Sequence, residues 1–205
     1  EEAGEPVTDD TRWRIYSMSK PITAVAAMVL WERGCFELTD PISRWLPEFA
    51  DPSVYVKGSS TKPLLEPAAE PIRVWHLLTH TAGLTYGFHH AHPVDELYRQ
   101  AGFEWGVPPG IDLAGCVEAW ARLPLVFQPG TEWNYSHATD VLGRLVEVVS
   151  GQSLDAFLDE HVLGPLGMTA TRFAVDDPER LAVLYTLDPT SGGRVRAEAA
   201  GREAL

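Results

Sequence analysis

Ser17-Met18-Ser19-Lys20 stands directly ahead of a long apolar run, so a hydroxyl and an amine fall three residues apart in the first turn of a helix. A serine hydroxyl is a weak nucleophile at neutral pH. A lysine can take its proton only where desolvation or nearby positive charge keeps the amine neutral. A helix N-terminus adds partial positive charge and unpaired N–H groups beside the serine, which favour an alkoxide and can hold an oxyanion. The chemistry open to such a pair is nucleophilic acyl transfer through a serine ester. On local evidence alone, a capping serine and a solvated lysine fit the same spacing.

The elements that must position these groups separate two candidates. S-x-x-K arises by chance about once in roughly two hundred residues of average composition, and here it occurs twice. Ser59-Ser60-Thr61-Lys62 follows Gly58 and precedes Pro63, Pro67 and Pro71, so it reads as loop, with no helix to orient the amine. After Lys20, Pro21 suits a first turn, and Ile22, Val25, Ala26, Val29 and Leu30 recur at helical spacing until Gly34. A helix is predicted from about Ser17 to Arg33.

The chain has 205 residues, 45% hydrophobic and 22% charged, the profile of a folded chain of one or two domains. Its net charge of −13 and its lack of a basic patch argue against nucleic-acid and anionic-membrane partners. The longest apolar stretch, Ile22 to Trp31, is too short to span a bilayer. Nothing at the N-terminus resembles a signal peptide, which favours a cytoplasmic over a periplasmic or secreted location unless a leader was removed ahead of Glu1. Cys35 and Cys116 form no disulfide framework or thiol metal site and are expected to be buried and free.

Residues 11–16 read as an extended approach to Ser17. A capped short helix is expected from Thr39 to Leu46, surface loop over 51–71, and a short helix from Val74 to His80 ended by Gly83. Further helices are predicted over Pro93–Ala101, Leu113–Leu123, His137–Val149 and Leu154–Val162, with Gly151 closing the third. The result is mainly helical, without a convincing set of strands. His76 and His80, at i and i+4, could face a zinc ion, but the glutamate of H-E-x-x-H and a third ligand are missing. His89, His90 and His92 read as exposed loop histidines. G-x-S-x-G and phosphate-loop patterns are absent. Tyr86, Phe88, Trp105 and Trp133 either form an aromatic wall for an acyl or alcohol group or are ordinary packing.

Four stretches in order carry a resemblance: Tyr16-Ser17-Met18-Ser19-Lys20-Pro21-Ile22-Thr23, His76-Leu77-Leu78-Thr79-His80-Thr81-Ala82-Gly83-Leu84, Pro129-Gly130-Thr131-Glu132-Trp133-Asn134-Tyr135-Ser136, and Leu163-Gly164-Pro165-Leu166-Gly167-Met168. The chain resembles the serine β-lactamase and penicillin-binding-protein-like hydrolases, in the branch of class C β-lactamases and family VIII carboxylesterases, over roughly residues 6–175. The resemblance implies an α/β (α+β) fold with an antiparallel sheet flanked by helices. Residues 1–205 would form part of one such domain, mostly its helical lobe.

By the same resemblance Ser17 would be the acylated nucleophile, Lys20 the amine that holds or takes its proton, and Tyr135 the general base or proton relay. An unaided phenol, with a pKa of about 10, is no base at neutral pH, but a neighbouring ammonium favours the phenolate and couples the two titrations. Tyr86, Phe88, Trp133 and His137 are the expected substrate contacts. His137 stands where the β-lactamases of this type carry asparagine, which favours an ester over a β-lactam or D-alanyl peptide substrate. No K-T-G follows, and the third motif with its oxyanion N–H would fall beyond Leu205. The expectation is a fragment of a serine hydrolase that cleaves small carboxylic esters without a cofactor. The rival from another class is a non-catalytic helical binding module.

Overall fold

The computed structural model describes residues 6–175, 180–187 and 192–197. A 3₁₀ turn, Tyr16–Met18, runs directly into α1, Ser19–Glu32. Ser17 therefore sits just ahead of the α-helix rather than within its first turn. Tyr16 adopts φ +44, in the left-handed region that a non-glycine residue enters only at a cost of about 1–3 kcal/mol. That strain lies one residue before the candidate nucleophile.

The buried stripe of α1 is Thr23, Ala26, Ala27 and Leu30, spaced i, i+3, i+4, i+7, while Val25 faces outward. Small side chains at 23, 26 and 27 let α1 approach α5, Ala138–Ser150, against which it packs. The opposite stripe is Ala138, Val141, Leu142, Leu145 and Val146, all buried. Gly151 ends α5 in the left-handed conformation, as its position predicts. Around this pair lie α2 (Val74–Leu78), α3 (Pro93–Gln100), α4 (Leu113–Ala121) and α6 (Leu154–Leu158), the last continuing as a π-turn through Leu163.

Three expectations are corrected. Residues 51–71 are not loop but an antiparallel hairpin, β1 (Ser53–Ser59) and β2 (Lys62–Pro67), with a bulge between Tyr55 and Lys57. Pro63 and Pro67 are tolerated because β2 lies at an edge. Ahead of the bulge, β1 hydrogen-bonds to the chain at Leu125, through Leu125 N–H to Ser53 O (2.8 Å) and Tyr55 N–H to Leu125 O (2.9 Å). A second ribbon pairs β3 (Tyr185–Leu187) with β4 (Arg194–Arg196). The segment from Thr39 to Leu46 forms only a 3₁₀ turn, Ile42–Arg44, because Pro41 pairs with Arg73 in an antiparallel bridge, with Ile42 N–H bonded to Ile72 O. Of the cysteines, Cys116 is buried as expected, its thiol pushed up to about 11 by burial, but Cys35 is exposed beyond α1. Among the described residues no helix is long and apolar enough to cross a membrane.

The loop from Thr85 to His92 is fixed by one carboxylate. Asp95, 1% exposed, accepts from Thr85 Oγ1 at 2.8 Å and from the N–H groups of Ala91 and His92 at 2.9 Å. Asp95→Ala would leave these three donors unpaired, at about 1–3 kcal/mol each. A fall in stability of about 3 kcal/mol or more is expected, read as a lower urea midpoint at unchanged slope.

Candidate active site

Two backbone segments meet in front of α1 because two glycines permit close approach. Gly83 has φ +85, and a Cβ there would stand 2.5 Å from Phe127 O; Gly130 has φ +83, and a Cβ there would stand 2.9 Å from His76 Nε2. The segments are laced by Val126 N–H to Gly83 O (2.7 Å), Gly130 N–H to Thr81 O (2.8 Å) and Asn134 N–H to His80 O (3.0 Å). This lacing carries Tyr135 across to the start of α1.

There the three candidate catalytic groups converge. Tyr135 O–H donates to Ser17 Oγ at 2.7 Å, although the two residues lie 118 positions apart, and Lys20 Nζ donates to the same oxygen at 3.3 Å. Lys20 Nζ also lies 4.8 Å from the centre of the Tyr135 ring and 5.8 Å from that of Tyr86. Ser17 is exposed, while Lys20 and Tyr135 are half-buried. Burial alone would raise the Tyr135 pKa, yet hydrogen bonding with Lys20 and with Ser17 and the Lys20 charge outweigh it and lower the value. The Tyr86 phenol is pushed up instead, chiefly by burial and then by the Asp140 carboxylate, so it stays protonated.

The expected substrate contacts divide. Tyr86 lies 5.5 Å from Tyr135 between ring centres and stacks on Phe88 at 4.7 Å, and Phe88 stacks in turn on Trp105 at 6.1 Å. The row runs outward from the Lys20 side to Trp105, which is 79% exposed. Trp133 stacks on Tyr135 at 6.5 Å and is 67% exposed. His137 does not join them. Its ring is 6% exposed, stacked on Trp120 at 4.0 Å and edge-on to Tyr86 at 4.2 Å, with Nδ1 at 3.2 Å from Asp140. Position 137 leads into α5, whose buried stripe faces the core, and so the ring supports the back of Tyr86 rather than the substrate side.

The histidine pairing is also corrected. His80 lies beyond the end of α2 with φ +56, so it does not share a helix face with His76. His76 Nδ1 accepts from Arg73 N–H at 3.0 Å, and burial, then the Arg73 charge, lowers its pKa to about 4. Among the described residues no group of three His, Cys, Asp or Glu side chains could hold a metal ion. His89 and His92 are half-buried rather than exposed: His92 caps α3 by accepting from Val94 N–H at 3.2 Å, and His89 Nε2 reaches Tyr135 O at 2.7 Å. Sequence reasoning missed His80 and His89 as neighbours of Tyr135; their only signal was their place inside the His76–Leu84 stretch and beside Phe88.

A cavity of about 330 Å³ lies next to Ser17 along the chain, lined by Ile15, Tyr16, Ile22, Leu158 and Phe173 among others. Neither Ser17, Lys20 nor Tyr135 lines it.

Residues 1–204 match the family described as beta-lactamase. The chain is 44% identical over 189 residues to an uncharacterized protein of Mycobacterium tuberculosis, which covers 91% of this chain and 46% of that protein. It is 40% identical over 186 residues to esterase EstB of Burkholderia gladioli, over 90% of this chain and 44% of that one. In three dimensions it is similar to EstCE1, described as a hydrolase with promiscuous acyltransferase activity, with a TM-score of 0.79 and 32% identity over 96% of this chain and 48% of the other. The chain thus spans about half the length of the relatives it matches.

Proposed function

The chain belongs to the beta-lactamase family, and on that premise we propose that it serves a serine hydrolase that cleaves small carboxylic esters through an acyl-enzyme on Ser17. One observation carries the reading: Ser17 Oγ receives both Tyr135 O–H at 2.7 Å and Lys20 Nζ at 3.3 Å. A hydroxyl held by a phenol and an amine at once has a proton acceptor and a counter-charge in place before substrate arrives.

In this mechanism the Lys20 ammonium favours the Tyr135 phenolate, which takes the Ser17 proton as Oγ attacks the carbonyl carbon. The carbonyl oxygen becomes an oxyanion, held by the Ser17 N–H and by a second donor that the family supplies from its third motif. Collapse breaks the bond to the alcohol, and Tyr135 returns the proton to the leaving oxygen. Water then attacks the acyl-serine with Tyr135 again as base, releasing the carboxylic acid and restoring Ser17. An alcohol in place of water gives acyl transfer, a variant that the likeness to EstCE1 supports. Tyr86, Phe88 and Trp133 would lie along the acyl or alcohol group, with Trp105 at the outer end.

The burial of His137 favours esters over β-lactams, because that position presents no polar group to a substrate amide. The test is p-nitrophenyl butyrate against nitrocefin, with a fluorophosphonate probe and peptide mass spectrometry to locate the adduct. Ester turnover with the adduct on Ser17 is the expected result. Turnover of nitrocefin alone would move the assignment to β-lactam or D-alanyl peptide hydrolysis. A protein neither labelled nor active on either would be the non-catalytic binding module.

A further inference from the structure

Tyr135 is held along its backbone from both sides of its own position. Asn134 N–H donates to His80 O at 3.0 Å, Ser136 Oγ meets His80 Nδ1 at 3.3 Å, and the carbonyl of Tyr135 itself meets His89 Nε2 at 2.7 Å. A carbonyl can only accept, so His89 carries a proton on Nε2. Ser136 Oγ is committed further, since it accepts from Ala138 N–H at 3.3 Å at the start of α5. The His80 ring also packs on the Tyr135 ring at 4.9 Å. His80 makes these contacts from a left-handed backbone, φ +56, which a histidine adopts only where its surroundings hold it there.

We infer that His80 and His89 are positioning residues that clamp Tyr135, His80 at its ring and at Ser136 and His89 at its carbonyl, so that its phenol oxygen stays on Ser17 and beside Lys20. The inference rests on the reading of Tyr135 as the proton carrier. Ser17 Oγ is held by Tyr135 and Lys20, whereas the two histidines meet Tyr135 and its neighbour Ser136, so each acts through Tyr135. The clamp joins three separate stretches of chain, around 80, 89 and 135, and acts at Tyr135 itself, between the Gly130–Thr81 bond on one flank and the packing of α5 on α1 on the other. The charged and titratable groups around the Tyr135 phenol are Lys20 from α1, Asp140 from α5, and Tyr86 and His80 from the laced loops. Burial, then the Lys20 charge, lowers the His80 pKa, so at neutral pH its ring adds no positive charge to compete with Lys20.

A misplacement of about 1 Å at a catalytic group costs on the order of 100-fold in rate. His89→Ala is expected to slow p-nitrophenyl butyrate turnover by about 100-fold with KM near the unaltered value, because it removes alignment and not binding. His89→Gln restores an N–H donor of similar reach and should recover most of that loss. His80→Asn removes the ring but tolerates the left-handed backbone, so a similar loss there separates ring packing from folding. The second readout is a pH titration of tyrosine labelled with ¹³C at the phenolic carbon, in which Tyr135 should ionise at higher pH in His89→Ala and His80→Asn and at its unaltered pH in His89→Gln. An unchanged Tyr135 titration in both disruptive variants overturns the inference, as does a His89→Gln protein as slow and as thermally destabilised as His89→Ala. If the unaltered protein neither turns over ester nor labels at Ser17, the proposed function falls, and the titration alone decides the clamp.

Discussion

Ser17→Ala is expected to abolish fluorophosphonate labelling and to lower ester turnover by about 10⁴–10⁶-fold, the range seen when a nucleophile that acts as a unit with its base is removed. The lost group is a single exposed hydroxyl with two partners, Tyr135 O–H and Lys20 Nζ, both of which can turn to water. Thermal stability should therefore stay within about 0.5 kcal/mol of the unaltered protein, as for surface substitutions generally. A large loss of rate at unchanged stability is the signature of the acyl-enzyme. Retained turnover would remove Ser17 from the chemistry, and Lys62 offers no substitute: its own S-x-x-K lies at the tip of the hairpin, where Ser59 Oγ meets Thr61 Oγ1 at 2.9 Å.

The second large effect belongs to Tyr135. Tyr135→Phe keeps the ring that stacks on Trp133 and packs at a tilt against Tyr86 but removes the oxygen 2.7 Å from Ser17, and a loss of about 10²–10⁴-fold in kcat is expected for a positioned general base. The pH dependence gives the sign. Tyr135 accepts a proton only as phenolate, and the Lys20 contacts lower its pKa, so kcat/KM should fall as pH drops through that value, which lies below the ordinary tyrosine value of about 10. Above it the rate should level off. Lys20→Met removes the charge that favours the phenolate, so the limb should move to higher pH; Tyr135→Phe should remove it. A limb unmoved by Lys20→Met would show that another group is the base.

The helices were legible because their signals are local. Ile22 to Leu30 and Val141 to Val149 repeat at helical period, and Pro93 and Gly151 mark ends by rules that need only a few neighbouring residues. The hairpin over 53–67 was hidden because its prolines and glycine are also what a loop contains; only pairing with β2 and with Leu125, some seventy positions on, makes Ser53–Ser59 a strand. The face of α1 was partly misjudged for a related reason. Val25 is more hydrophobic than Ala27, but α5 can approach only the side lined by small residues, and so Val25 is left outside.

By itself the sequence determined the types and order of the candidate groups: a serine and a lysine three residues apart, a tyrosine far downstream, and a glycine in each of the two stretches that had to come together. The tertiary structure alone decided which side chains share one oxygen. It brought Tyr135 across 118 positions to Ser17, turned His137 into the core, and set His80 and His89 against Tyr135. The physical reason is range. Helical period and capping act over one or two turns of chain, whereas a hydrogen bond between Tyr135 and Ser17 depends on the close approach that Gly83 and Gly130 permit and on the packing of α1 against α5.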